Sequence, residues 1–340
     1  MEGANNLGEG ANSLRALTVS ELIGLMKKVY RKQGYHFVGS QAVVKPCYWM
    51  KRALLSKGEK HCYKQLWYGV PSHRCLQMSP TILCTHRCIY CWRVQSTDIG
   101  LAPPSVEAFK EAPFDEPRDI VINSVKRWKE ILSGYKGNPK VDPLMLEEAM
   151  RPLHVTFSLV GEPTLYPRVG ELVEEYFNYG FKTVFIVTNG TLPKVLSKLE
   201  KEPSQLYVTL PAPDERTYKA VSRPLITDGW NRLLETLSLL KSFKCPTVIR
   251  ITLVKGFNLK DVEKYAKLIE MAEPTYVEPK AAMDLGFYRR RLERDNMPRH
   301  EEIKEFSAKL AELTGYKIIG ESLHSRIVLL SRLSKPKRLY

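Results

Sequence analysis

Apolar residues recur at helical spacing through SELIGLMKKVYRKQG, from the plausible cap Thr18 to Gly34, and again from Arg118 to Gly134, which predicts two amphipathic helices. Past residue 150 the pattern changes to short apolar runs: HVTFSLVG (154–161), TVFIVTNG (183–190), QLYVTLPA (205–212), TVIRITLVKG (247–256) and TYVEPKAAM (275–283). Helical patterns stand between or beside them at 168–179, 192–199, 229–243 and 261–271. Strands alternating with helices imply βα units and a parallel sheet. With the apolar run 76–83 the count is six strands, so the expected fold is α/β, an incomplete TIM-like (β/α)6 barrel with N- and C-terminal extensions. A helix at 301–314 and short strands at 316–319 and 327–330 close the pattern, and the Gly/Asn/Ala-rich residues 1–13 are expected to be disordered. The corresponding division is an N-terminal extension with a basic helix (1–45), a cysteine-bearing segment with the first strand (46–80), the barrel (81–290) and a basic extension (291–340).

Charge adds a partner class. The 52 Lys+Arg against 37 Asp+Glu leave a formal +15, which favours a polyanion such as nucleic acid, or an anionic membrane surface. No apolar run approaches the ~20 residues that span a bilayer, and Met1–Leu17 has no apolar signal core. A cytoplasmic protein without a membrane span, acting as a monomer, is expected. Seven cysteines, an odd number, argue for metal rather than a disulfide framework.

Six of the seven lie between Cys47 and Cys91. Cys84, Cys88 and Cys91 form C-x3-C-x2-C in MSPTILCTHRCIYCWR (78–93), just after an apolar strand, where α/β barrels place their chemistry. Three thiolates so spaced can hold an iron–sulfur cubane whose fourth iron stays free for a small-molecule ligand. The arrangement resembles that of radical S-adenosylmethionine (SAM) enzymes, in which the open iron chelates the amino and carboxylate groups of the cofactor and a deoxyadenosyl radical is released. A structural zinc knot is the alternative; it needs a fourth ligand, which His86 or Cys75 could supply. Cys47, Cys62 and Cys75 make a second set of three, interleaved with Lys, Arg, Trp49, Trp67 and Tyr68. Such interleaving suits stacking on unpaired bases, or else packing around a cluster.

Polar residues at the C-terminal ends of parallel strands reach the site of a barrel. Glu162 follows the second strand and can accept from the methionyl ammonium, while Gly161 lets backbone come close. Thr188 and Asn189 end the third strand, where an amide could hold ribose hydroxyls. Ser158 and Arg250 are further cofactor candidates, and Tyr90 occupies the place of the aromatic that packs on adenine in the radical SAM superfamily. Glu278 and Lys280 end the sixth strand and could line the site from the other side. Each alone has a plain reading as turn or helix start.

SPTILCTHRCIYCWR, SLVGEPTLYP, VTNG, ITLVKGFN and DNMPRH, in that order, resemble the archaeal members of the radical SAM family that makes the tricyclic core of wyosine in phenylalanine tRNA. The resemblance runs from about Cys47 to His300 and implies a barrel of the radical SAM type. It also implies two 4Fe-4S clusters, the second on Cys47, Cys62 and Cys75, and S-adenosyl-L-methionine as cofactor. The implied substrates are tRNA(Phe) carrying N1-methylguanosine, just 3′ of the anticodon, and pyruvate, which together give 4-demethylwyosine. Lys64 matches the family's lysine, and pyruvate would be activated either by Lys64 as an imine or by the open iron of the second cluster. Electrons would come from a separate flavodoxin or ferredoxin. Arg289, Arg290, Arg291 and Arg294 follow the last strand and are expected to contact the RNA. The competing readings are another two-cluster enzyme, such as a glycyl-radical activase, and a zinc-stabilised RNA-binding protein.

Overall fold

The structure is a computed structural model that describes residues 17–103 and 105–340; the stretch 1–13 lies outside these residues. The first helix, α1 (Val19–Lys32), is closed by reciprocal hydrogen bonds between Thr18 and Glu21. Two-residue strands β1 (His36–Phe37) and β2 (Val43–Val44) follow, then α2 (Tyr48–Leu55) and α3 (Tyr63–Tyr68). The hydrophobic pattern announces neither helix. Both are short, and both are capped by cysteine, Cys47 and Cys62, rather than by Ser, Thr, Asp or Asn.

The strand β3 (Cys75–Ser79) stops before Pro80, which cannot donate to a ladder; it is shorter than the expected 76–83. The chain then runs α4 (Pro117–Ser133), α5 (Pro143–Met150), β4 (His154–Phe157), α6 (Val169–Asn178), β5 (Thr183–Thr188), α7 (Pro193–Leu196) and β6 (Gln205–Thr209). It continues α8 (Glu215–Ser222), α9 (Gly229–Leu239), β7 (Thr247–Leu253), α10 (Val262–Ala272), β8 (Tyr276–Ala281), α11 (His300–Thr314), β9 (Lys317–Ser322) and β10 (Ile327–Ser331). Strands β3 to β8 pair in parallel, each with the next, so the six-strand incomplete barrel is present. The sheet is extended by antiparallel β2 and β1 at one edge and by β10 and β9 at the other. Helices α5 and α8, not expected from the pattern, carry an ordinary signal: Asp142 and Asp214 accept from the backbone N–H groups of Met145 and Thr217.

Alternation along each strand divides the residues between two faces. Leu76, Phe157, Ile186, Val208 and Ile251 face outward into the main core, with Trp128 of α4 and Leu172 of α6. Phe185, Tyr207, Val248 and Tyr276 face inward and meet Ile327, Leu329 and the α3 residues Trp67 and Tyr68. The 62–70 segment therefore packs along the inward face of the barrel. The last residues close its base: Leu339 N–H donates to Tyr68 O (2.9 Å), Lys337 N–H donates to the Tyr276 hydroxyl (2.8 Å), and the Tyr340 ring lies 4.7 Å from that of His154. His154 and Tyr276 open their strands. The basic tail thus sits at the opposite end of the strands from Arg289–Arg291, which follow β8, and the two basic clusters do not meet.

Candidate active site

Beyond Pro80 the chain forms a loop that hangs on its neighbours. Arg87 N–H and Ile89 N–H donate to Ser222 O and Val221 O at the end of α8 (both 2.9 Å), and Leu225 N–H donates to Thr85 O (2.8 Å). This brings Cys84, Cys88 and Cys91 together as free, part-buried thiols. Burial, then the neighbouring Cys91, pushes Cys88 up to about 12, and burial, then Cys88, raises Cys84. The His86 Nε2 lies 2.7 Å from the Tyr218 hydroxyl, and burial holds the imidazole neutral, with its pKa lowered to about 3. Cys75 belongs to the other set. Both candidates for a fourth zinc ligand are thus otherwise engaged. Among the described residues no three His, Cys, Asp or Glu side chains converge closely enough to hold a single ion, whereas a cubane spreads its thiolates more widely.

The second set forms at two helix starts and a strand start. Cys47 Sγ accepts from Met50 N–H (3.3 Å) and Cys62 Sγ from Lys64 N–H (3.5 Å), placements that favour a thiolate. Cys75 opens β3. Burial, then Cys47, raises Cys62 to about 11 and Cys75 to about 12. Each triad therefore confines three thiols that repel one another when ionised, in a chain without disulfides among its described residues. The donor set and its enclosure fit a cationic iron–sulfur cluster at both places. Arg93, which no sequence pattern marks, is buried and lies within electrostatic reach of Cys91 and Cys47, one thiol from each triad.

Gly161 and Glu162 pack directly against the cluster loop. Gly161 has φ +71°, and a Cβ there would stand 2.5 Å from Thr81 O and 2.6 Å from Leu83 O. Glu162 N–H donates to Leu83 O (2.7 Å). The buried Glu162 carboxylate accepts at Oε1 from Thr164 N–H (3.1 Å), the Thr164 hydroxyl (2.7 Å) and the Thr188 hydroxyl (2.6 Å). Its Oε2 accepts from Asn189 N–H (2.7 Å), so Oε2 is the oxygen with capacity for a ligand ammonium. Burial raises the carboxyl pKa, and these donors oppose the rise.

Thr188 and Asn189, both expected at the cofactor, are tied into the protein's own hydrogen bonds. The Thr188 hydroxyl is taken by Glu162 and by Gly190 N–H (3.1 Å). The Asn189 amide donates to the Thr85 hydroxyl (2.8 Å) and reaches Cys84 Sγ (3.9 Å), while its oxygen accepts from Thr191. Both thus brace Glu162 and the loop that carries the three thiols. Ser158 accepts from Thr156 (3.1 Å) and Gln77 (3.4 Å) near the barrel interior. Tyr90 packs against the apolar group of Ile89, Val254 and Tyr288, next to Cys88.

Lys64 reaches into the hollow, its Nζ 4.0 Å above the Phe185 ring and 4.8 Å from that of Tyr207. Arg250 crosses the same Tyr207 ring at 4.5 Å, ion-pairs with the buried Glu278 and donates to the Tyr63 hydroxyl (2.6 Å). Arg250 therefore shares the hollow with Lys64.

The arginine run divides. Arg291 is almost enclosed, pairs with the equally enclosed Asp98 (2.5 Å) and donates to the carbonyls of Ile89 and Cys91. It clamps the cluster loop and has no charge to offer RNA, so that expectation is corrected. Arg289 pairs with Asp284 at the surface, Arg290 is exposed over the Phe287 ring, and Arg294 is exposed.

A six-strand parallel barrel with a three-thiol loop beyond its first strand defines a class. Residues 78–269 match the radical SAM superfamily and residues 271–332 match the wyosine base formation domain; the chain belongs to the radical SAM superfamily. Within it, the chain belongs to the S-adenosyl-L-methionine-dependent tRNA 4-demethylwyosine synthase family. It is 49% identical to that enzyme of Pyrococcus abyssi over 309 residues, 89% of this chain and 87% of the relative. It is 38% identical to that of Methanocaldococcus jannaschii over 89% of this chain and 94% of the relative. A solved structure of TYW1 with a lysine–pyruvate adduct bound superposes with a TM-score of 0.81 at 36% identity, covering 92% of this chain and 98% of that one. A structure of archaeal TYW1 gives 0.73 at 34% identity, with the same coverage of both chains. This membership sets aside the activase and zinc-module alternatives, and it brings S-adenosylmethionine and a 4Fe-4S cluster with it.

Proposed function

We propose that this chain joins N1-methylguanosine of phenylalanine tRNA to pyruvate, forming the tricyclic 4-demethylwyosine in a lyase-class reaction. The carrying observation is Lys64, presented to the barrel hollow beside the second thiol set, in a fold shared with a TYW1 that holds a lysine–pyruvate adduct. Cys84, Cys88 and Cys91 would hold the SAM-binding cluster, and Cys47, Cys62 and Cys75 a second one. When bound, the first cluster and its cofactor supply a deoxyadenosyl radical that removes hydrogen from the N1-methyl group.

The protein's own part is positioning. Glu162, fixed by Thr164, Thr188 and Asn189, would accept at Oε2 from the cofactor's ammonium. Gly161 admits the close backbone approach. Burial lowers the Lys64 pKa, which favours the free amine; its nitrogen adds to the keto carbon of pyruvate, water leaves, and the 2-oxo acid is held as an imine. Tyr90 and Ser158 would contact the cofactor, the exposed Arg289, Arg290 and Arg294 would contact the RNA, and a separate flavodoxin or ferredoxin would deliver electrons.

The test is anaerobic incubation with methylated tRNA, pyruvate, S-adenosylmethionine and a strong reductant, followed by nucleoside mass spectrometry. The tricyclic base and deoxyadenosine should both appear. Lys64→Ala should still release deoxyadenosine but yield no tricyclic base, whereas Cys84→Ala should release none. Normal product from Lys64→Ala removes the imine from the reaction.

A further inference from the structure

A buried cation stands between the two thiol triads, and no carboxylate balances it. Arg93 follows Cys91 of the cluster loop by two residues, and Lys45 precedes Cys47 of the second set by two. Both reach the same buried ring, that of Tyr35: the Lys45 Nζ lies 4.4 Å from its centroid and the Arg93 guanidinium 5.6 Å. The ring thus joins a cation beside one triad to a cation beside the other. Lys45 is half-buried and donates to Gln33 O (2.5 Å). Arg93 is nearly enclosed; its guanidinium lies 3.4 Å from the centroid of the Trp92 ring, and its Nε donates to Leu159 O. Among the described residues Arg93 has no ion pair with a carboxylate. Asp98 is taken by Arg291, and Glu162 by Thr164, Thr188 and Asn189. The acidic groups that do face Arg93 are the phenols of Tyr30 and Tyr35, neutral at ordinary pH, and the thiols of Cys91 and Cys47.

A guanidinium withdrawn from water is costly unless negative charge compensates it. Three thiolates around an iron–sulfur core carry net negative charge, which grows when an electron is added, so a fixed cation nearby favours the reduced state. In surroundings poor in water that influence extends beyond hydrogen-bond range. We infer that Arg93 is the shared counter-charge of the two triads, one guanidinium that makes the cluster on each easier to reduce. Arg93 acts on the thiolate sets rather than on substrate, and is a positioning residue, not a catalytic one. Lys45, more exposed, contributes less. This rests on the reading that Cys47, Cys62 and Cys75 hold a second cluster.

The experiment reads midpoint potentials in the full chain, loaded with iron and sulfide under anaerobic conditions and titrated with paramagnetic resonance detection. Each cluster is followed alone in a background that lacks the other triad, Cys47, Cys62 and Cys75 or Cys84, Cys88 and Cys91 replaced by alanine. Arg93→Met should make reduction at least tenfold less favourable at both clusters, a fall of about 59 mV for one electron, and Arg93→Lys should restore most of it at both. Arg93→Gln, which can still donate to Leu159 O, should fall as Arg93→Met does and separates lost charge from lost hydrogen bonding. Should neither uncharged variant take up iron while Arg93→Lys loads fully, the charge itself is required and the inference stands. Unchanged potentials, a shift at one cluster only, or a lysine variant that behaves like the methionine one would overturn it, as would loss of iron in all three variants, which marks a merely structural role. A wild-type chain that binds about four irons rather than about eight overturns the second-cluster reading and the inference with it; about eight irons with a shift at one cluster overturns the inference alone.

Discussion

A methyl group at position 161 has nowhere to go. The backbone is left-handed there, and the carbonyls of Thr81 and Leu83 stand where a Cβ would project, so Gly161→Ala carries both a conformational penalty and an overpacking one. We expect a loss of about 2–4 kcal/mol in urea unfolding of the cluster-free protein, with reduced iron uptake because the displaced loop bears Cys84. Gly161 and Glu162 were readable in the sequence because a strand end, a glycine and a carboxylate coincide. The bracing roles of Thr188 and Asn189 were not, since nothing in VTNG distinguishes a side chain aimed at a ligand from one aimed at the loop beside it. Arg93 and Asp98 were equally silent: burial of a charged residue is decided by what folds over it.

Among elements, the segment after β8 has a task that its basic composition disguises. Arg291 and Asp98 are enclosed together, with Arg291 also holding the carbonyls of the cluster loop. Breaking such a pair leaves one charge buried and uncompensated, at a cost of about 3–5 kcal/mol. Arg291→Met should therefore destabilise the protein more than the double substitution Arg291→Met with Asp98→Leu. A double-mutant cycle in denaturant checks this, and hydrogen exchange should show the amides of 84–93 losing protection in the single variant. Helix and strand order were legible from period alone, because βα units repeat. The helices α2 and α3 were not, because sulfur caps stand where hydroxyl or carboxylate caps are sought.

For the whole molecule, the positive charge and the exposed arginines predict salt-sensitive RNA binding. If six or more phosphates are neutralised, affinity for methylated tRNA should fall about 10³-fold between roughly 50 and 200 mM salt. Joint reversal of Arg289, Arg290 and Arg294 should weaken binding and flatten that dependence; an unchanged slope in filter binding would return these residues to the solvent. The tail is a different matter, since Leu333 and Leu339 pack against the inward apolar group at the barrel base. Both leucines are only partly buried, so removing residues 333–340 should cost about 1–3 kcal/mol and should lower the denaturation midpoint. Composition showed the tail as basic but not that its backbone and leucines dock.

A single strand bears on both thiol triads. Cys75 begins β3, and Cys84 follows a few residues beyond its end, so covalent geometry, not a hinge or a docking interface, sets how far apart the two triads stand. Adding or deleting one residue within β3 would alter that gauge and would also turn Cys75 toward the outer helices. An engineer seeking new substrates has latitude in the loops around the rim, but the length of this strand is the dimension to leave untouched.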